Sequence, residues 1–132
     1  MKINRSITML IVLCACAAML TSCAKPAAGP EVIWVVGKVE VRSAGGSARA
    51  AAAKEILAQG DVVTTGTESH ITIQFSPDVI AKVEENSTLA LASLAMEKIL
   101  NLQKGQVLSK VTKLRKDESY TVTTPTAVAG VR

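Results

Sequence analysis

Aromatic side chains are almost absent from this chain. One Trp, one Tyr and one Phe stand among 132 residues, so a core must be built from Val, Ile, Leu and Ala. Histidine is as scarce: His70 is the sole imidazole. A Ser-His-Asp triad would have to run through that one ring, and His70 falls on the polar side of an alternating stretch, where a solvated side chain is expected. All three cysteines lie at or before position 23, which leaves no Cys or His pattern for zinc. No Gly-rich phosphate loop opens a helix. The adjacent carboxylates Glu84-Glu85 and Asp117-Glu118 would point to opposite faces of a strand and make no acid-base pair. These absences argue against an enzyme, a metal site and any other cofactor. The length allows one domain at most.

Long apolar runs are missing as well, apart from Ile7–Leu20, which only Thr8 and two cysteines interrupt. At about 14 residues it falls short of the roughly 20 that span a bilayer. With Lys2 and Arg5 before it, residues 1–22 have the layout of a secretory signal peptide. Leu20-Thr21-Ser22-Cys23 resembles the bacterial lipobox, which implies cleavage before Cys23 and a diacylglycerol on its sulfur. Leu13-Cys14-Ala15-Cys16 fits the same pattern loosely but leaves an apolar run of only about seven residues. An uncleaved anchor helix is the other alternative. Processing at Cys23 removes Cys14, Cys16, Lys2 and Arg5. It leaves no free thiol, and 13 basic against 11 acidic residues, a net charge of +2. So weak a balance does not point to nucleic acid. The expected contact with a membrane is the lipid on Cys23, since two or more acyl chains anchor stably.

Residues 23–31 then read as a tether, with two prolines and no periodicity. From Val32 the rhythm is that of strands. Val32–Val41 is rich in β-branched residues, with a turn or bulge at Gly37. Gly60-Asp61 is a turn before Val62–Thr65. Ser69–Phe75 alternates, with Ile71, Ile73 and Phe75 on one face. Ser76-Pro77-Asp78 turns into Val79–Val83, and Leu89 and Leu91 continue the pattern. Met96–Leu102, Gln106–Thr112 and Tyr120–Thr124 are further strands, with a turn at Lys104-Gly105. Helix propensity favours a helical turn within Ala48–Leu57, against the strand rhythm on either side. Short strands at spacings of about 8–12 residues imply an all-β domain; a sandwich, a small barrel and a β-helix fit equally well.

Two surface features stand out. Lys110, Lys113, Arg115 and Lys116 form a basic cluster. It suits anionic lipid headgroups, lipopolysaccharide or an acidic partner, and equally a solvated loop that guards an edge strand. Trp34 lies in an apolar strand close to the tether, where core packing is the first explanation and an interface the second.

In their order these pieces resemble the FecR domain family. The resemblance runs through "GKVEV" (Gly37–Val41), "LAQGDVVTTGTESHITIQF" (Leu57–Phe75), "NSTLAL" (Asn86–Leu91), "LQKGQVLSKV" (Leu102–Val111) and "YTVTTPTAVAGVR" (Tyr120–Arg132). It covers most of Val32–Arg132 and matches the family motif at Gly60, Asp61, Gly105, Thr124, Pro125, Gly130 and Arg132. Two departures concern the strands. Asp78 is followed by Val79 where the family has Gly, so that hairpin is expected to turn through Ser76-Pro77. The family motif also continues past the Arg with Gly-Thr and an aromatic strand, which implies a last strand that is cut short or supplied by a partner.

The resemblance implies a β-helix-like or sandwich arrangement over residues 32–132. It also implies a periplasmic domain like that of regulators that receive a signal from a TonB-dependent transporter. Those regulators carry a cytoplasmic anti-sigma segment and a membrane helix, neither of which is recognisable here, so direct control of a sigma factor is not expected. What remains is a lipid-anchored envelope protein with a protein-binding or scaffold domain, binding by strand-edge pairing. An accessory to a TonB-dependent receptor and a cell-wall or polysaccharide module are the alternatives. Ala24 lacks the Asp that commonly retains lipoproteins in the inner membrane of enteric bacteria, so the outer membrane, facing the periplasm, is the expected site.

Overall fold

The computed structural model describes residues 29–132. The signal-peptide residues 1–22, Cys23 and the tether up to residue 28 lie outside the described residues. Among the described residues, no helix is long and apolar enough to cross a membrane. They form eleven strands: β1 (Glu31–Val36), β2 (Val39–Arg42), β3 (Ala48–Ala50), β4 (Val62–Thr65), β5 (His70–Ser76), β6 (Val79–Val83), β7 (Thr88–Leu94), β8 (Glu97–Lys104), β9 (Val107–Val111), β10 (Ser119–Thr123) and β11 (Val128–Val131). They build a sandwich. A four-stranded sheet has the order β1-β5-β6-β9, and a seven-stranded sheet the order β11-β10-β8-β7-β4-β2-β3.

Period-two alternation explains which face each strand buries. Ile71 and Ile73 of β5 and Val79, Ala81 and Val83 of β6 turn fully inward, while His70, Thr72, Gln74, Ile80 and Lys82 stay partly exposed. Val39 and Val41 of β2, Val63 of β4, Leu89 and Leu91 of β7 and Leu100 of β8 close the core from the other sheet. Each such aliphatic side chain contributes about 1.5–3 kcal/mol by leaving water, which is how a core without a buried Trp or Phe holds two sheets. The β5–β6 hairpin closes over Pro77-Asp78, with Ser76 opposite Val79 and a bulge between Gln74 and Ser76.

Three expectations are corrected. Trp34 is 61% exposed rather than a core residue. A bulge between Val32 and Trp34 interrupts the alternation, so Val32 points inward while both Ile33 and Trp34 point out. The Ala-rich segment forms no helical turn. Ala48–Ala50 pairs with β2 as an edge strand, and Ile56 makes a single bridge to Glu31. The tether ends earlier than residue 31, because Pro30 is buried and Glu31 opens β1.

A polar knot sets where the chain leaves the seven-stranded sheet. Thr65 Oγ1 donates to the Glu84 carbonyl at 2.6 Å and accepts from the Ser87 N–H at 2.9 Å. Ser87 Oγ, fully buried, accepts from the Gln106 N–H at 2.9 Å and donates to the Glu85 carbonyl at 3.0 Å. Gly105 packs against Ser87 at a φ of +90°, and a Cβ there would lie 2.6 Å from Ser87 Cα. Only glycine fits both the left-handed backbone and the contact. From Gly105 the chain crosses to the other sheet as β9, then returns as β10 to lie parallel to β8.

Because Trp34 is solvent-facing, Trp34→Ala is expected to change the unfolding free energy by less than about 0.5 kcal/mol. Urea titration measures it. A loss of about 3 kcal/mol or more, the cost of truncating a core Trp, would show that Trp34 is packed.

Candidate functional site

The two sheets have unequal widths, and the excess of the larger one lies beside β9. β9 is an edge of the four-stranded sheet, and β10 and β11 extend the seven-stranded sheet beyond β8. Between them runs an open groove of about 560 Å³. Leu102, Tyr120 and Val122 line its core side; Val107, Ser109 and Val111 line it along β9; Ala127, Ala129 and Val131 line it along β11. The walls along β11 are small, apolar and exposed.

Both strands bordering the groove have unused backbone groups. The Glu84 N–H donates to the Gln106 carbonyl at 3.0 Å and the Thr112 N–H to the Asp78 carbonyl at 2.9 Å. In an antiparallel ladder this assigns the even-numbered residues of β9 to β6 and directs the N–H and C=O of Val107, Ser109 and Val111 to the free edge. On the other side the Thr124 N–H donates to the Ala127 carbonyl at 2.8 Å. By the same alternation Ala129 and Val131 bond to β10, while Val128 and Gly130 present their backbone outward.

The four sheet edges differ in how they resist pairing. β3 is three residues long, and its Arg49 is tied to Glu55 at 2.6 Å and to Asp61 at 3.6 Å. β1 is bulged. β9 carries Lys110. β11, "VAGV", has no charge, proline or bulge, and such an edge is a template for another strand.

Tyr120 sits at the base of the groove and joins the sheets. Its ring packs edge-on against Phe75 of β5, with centroids 6.2 Å apart and planes at 66°. Its hydroxyl lies 2.6 Å from Ser109 Oγ of β9. Burial pushes the phenol above its ordinary pKa, and the Ser109 hydrogen bond offsets only part of that.

The family-motif residues fall into two places. Gly105, Thr124 and Gly130 line the groove. Thr124 Oγ1 accepts from the Ala127 N–H at 2.9 Å and so shapes the β10–β11 hairpin through Pro125. Arg132 follows β11 and is exposed. Gly60 and Asp61 are elsewhere, at the entry to β4. The Gly60 N–H donates to the Leu91 carbonyl at 2.8 Å, and the buried Asp61 carboxylate accepts from the Ala58 N–H at 3.0 Å. They hold β4 against β7 and do not reach the groove. Sequence reasoning did not single out Val107, Ser109, Val111 or Tyr120. Their alternation marked strands, but nothing local marked β9 as an edge. Among the described residues, no cluster of three or more His, Cys, Asp or Glu is placed to hold a metal ion.

A family model described as FecR protein matches residues 61–132, which takes in β4 to β11 and the whole groove. No curated protein and no solved structure matches the chain.

The raised Tyr120 pKa has a definite sign. A group protonated more firmly in the folded state stabilises fully below its unfolded pKa of about 10, and that stability is lost as pH rises through the folded value. Stability of the wild type should therefore fall above about pH 10, and the fall should be shallower in Tyr120→Phe, which itself costs about 1 kcal/mol at neutral pH. Urea titrations from neutral to alkaline pH test this; parallel curves for the two proteins would contradict it.

Proposed function

The chain belongs to the FecR protein family, and from that premise we propose that it is an envelope lipoprotein whose domain binds an extended segment of another envelope protein. Membership implies a periplasmic domain with a role in cell-surface signalling. The lipid on Cys23 holds the domain at a membrane, on the periplasmic side of the outer membrane. The domain itself does no chemistry: it docks a partner by strand addition.

One observation carries this reading. The groove of about 560 Å³ is bordered by two edges with unpaired backbone groups, and its side-chain lining is apolar. An incoming strand would hydrogen-bond to Val107, Ser109 and Val111, or to Val128 and Gly130, while every second side chain enters the groove. The small lining residues Ala127 and Ala129 leave room for large side chains. The specificity asked of the partner is then an alternation of bulky apolar and polar residues.

A short synthetic peptide that begins Gly-Thr and continues in alternating aromatic and threonine residues tests the mode. At a free concentration of about 100 times its Kd it should stabilise the domain by about 2.7 kcal/mol, raising Tm by about 10 °C. Ala129→Arg, which fills an exposed position of the groove, should remove the shift without lowering the Tm of the free domain. An unchanged Tm with peptide, or an equal shift in the variant, would refute strand addition at this groove.

A further inference from the structure

A second cavity lies at the end of the sandwich where the chain enters from the tether. It measures about 790 Å³ and is bordered by the β5–β6 hairpin, the β7–β8 hairpin, the loop between β9 and β10, and Gly29-Pro30. We propose that this cavity binds the phosphate headgroup of an anionic membrane lipid, with Lys98, Lys113 and Arg115 as its ligands.

Lys98 is the residue that demands explanation. It occupies a core-facing position of β8, in line with Leu100 and Leu102, and is only 6% exposed. A leucine would suit the ladder there. Its ammonium has three donors, and among the described residues its one partner is Glu118 Oε1 at 3.3 Å. Such a pair is poor value as a stabilising device, because desolvation cancels most of the attraction. Glu118 is further engaged through its other oxygen, which accepts the Arg115 N–H at 3.3 Å. Two donors of a nearly buried cation are therefore open beside the cavity that Lys98 lines.

The neighbouring charges have the same sign. Lys113 and Arg115 line the cavity, and among the described residues neither has an ion-pair partner. Asp78 is the other carboxylate on the lining. With Glu118 matched to Lys98, two cations face one anion, and a guanidinium fork suits phosphate oxygens. The rim is apolar: Met96 is 64% exposed, next to Leu114 and Pro77. Cationic depth with an apolar rim is the arrangement of a surface that settles at a headgroup boundary.

The position of the tether selects lipid over other phosphates. Gly29 is six residues from Cys23, a reach of at most about 20 Å. The cavity thus faces the bilayer that the acyl chains enter. This step rests on Cys23 as the anchor, which palmitate labelling of wild type and Cys23→Ala tests separately.

The decisive experiment uses the unlipidated chain from Ala24, which keeps both sheets and every core residue. It is sedimented with phosphatidylcholine vesicles, alone or containing ~25 mol% phosphatidylglycerol. Wild type should bind the anionic vesicles only. Lys113→Ser with Arg115→Ser should weaken binding roughly ten- to thirty-fold, whereas Lys38→Ser with Lys82→Ser, which removes equal charge elsewhere, should change it less than about two-fold. Equal losses from the two pairs, or no preference for anionic vesicles, would overturn the proposal. So would stabilisation by inorganic phosphate, dependent on Lys113 and Arg115, in a chain that does not bind vesicles.

Discussion

Two sheets share one core, but one has four strands and the other seven. The rest of the structure follows from that mismatch. The inner face of a sheet is stable only where another layer covers it, and the narrow sheet cannot cover the wide one. On the β3 side the excess is handled by a three-residue strand whose Arg49 reaches Glu55 and Asp61. On the β11 side nothing equivalent covers the strand, and Ala129 and Val131 remain exposed beside Val107 and Val111. The groove is the space the narrow sheet does not fill.

What keeps that side open yet ordered is a small number of contacts between the sheets. Gly105 against Ser87 decides where the chain leaves β8, and Tyr120 against Ser109 and Phe75 decides how β10 sits beneath β9. With these fixed, the edges of β9 and β11 face one another across the groove without pairing. A domain with so few aromatics has placed its one Tyr where a single side chain spans both layers. The tether end follows a different logic. There the hairpin tips and the basic loop surround a buried lysine, and the membrane supplies what the fold does not.

Most strands were legible in the sequence, because the core faces of β5 and β6 repeat every second residue and the turns carry Gly, Pro and Asp. The lipid-anchor reading falls on residues outside those described, so the structure neither adds to it nor subtracts from it. Three structural features were not legible, each for a physical reason. The bulge in β1 moved Trp34 outward, and a bulge has no signature in alternation. The Ala-rich β3 has helical propensity but gains pairing with β2, and tertiary pairing outweighs a weak local preference. The parallel β8–β10 pair joins segments separated by a strand of the other sheet, so which strands become edges is a long-range outcome. Of the candidate site, the turn residues Gly105 and Thr124 were visible as motif positions; the groove between β9 and β11 was not.

Hydrogen exchange at single-residue resolution tests the central claim, that the domain is open to one more strand between β9 and β11. In the free domain the amides of Leu108 and Lys110, bonded to β6, should exchange slowly, while those of Val107, Ser109, Val111, Val128 and Gly130 exchange fast. With an alternating apolar peptide bound, the fast amides of at least one of the two edges should become protected. Protection of all five in the free domain, or no change at either edge when peptide binds, would contradict the account.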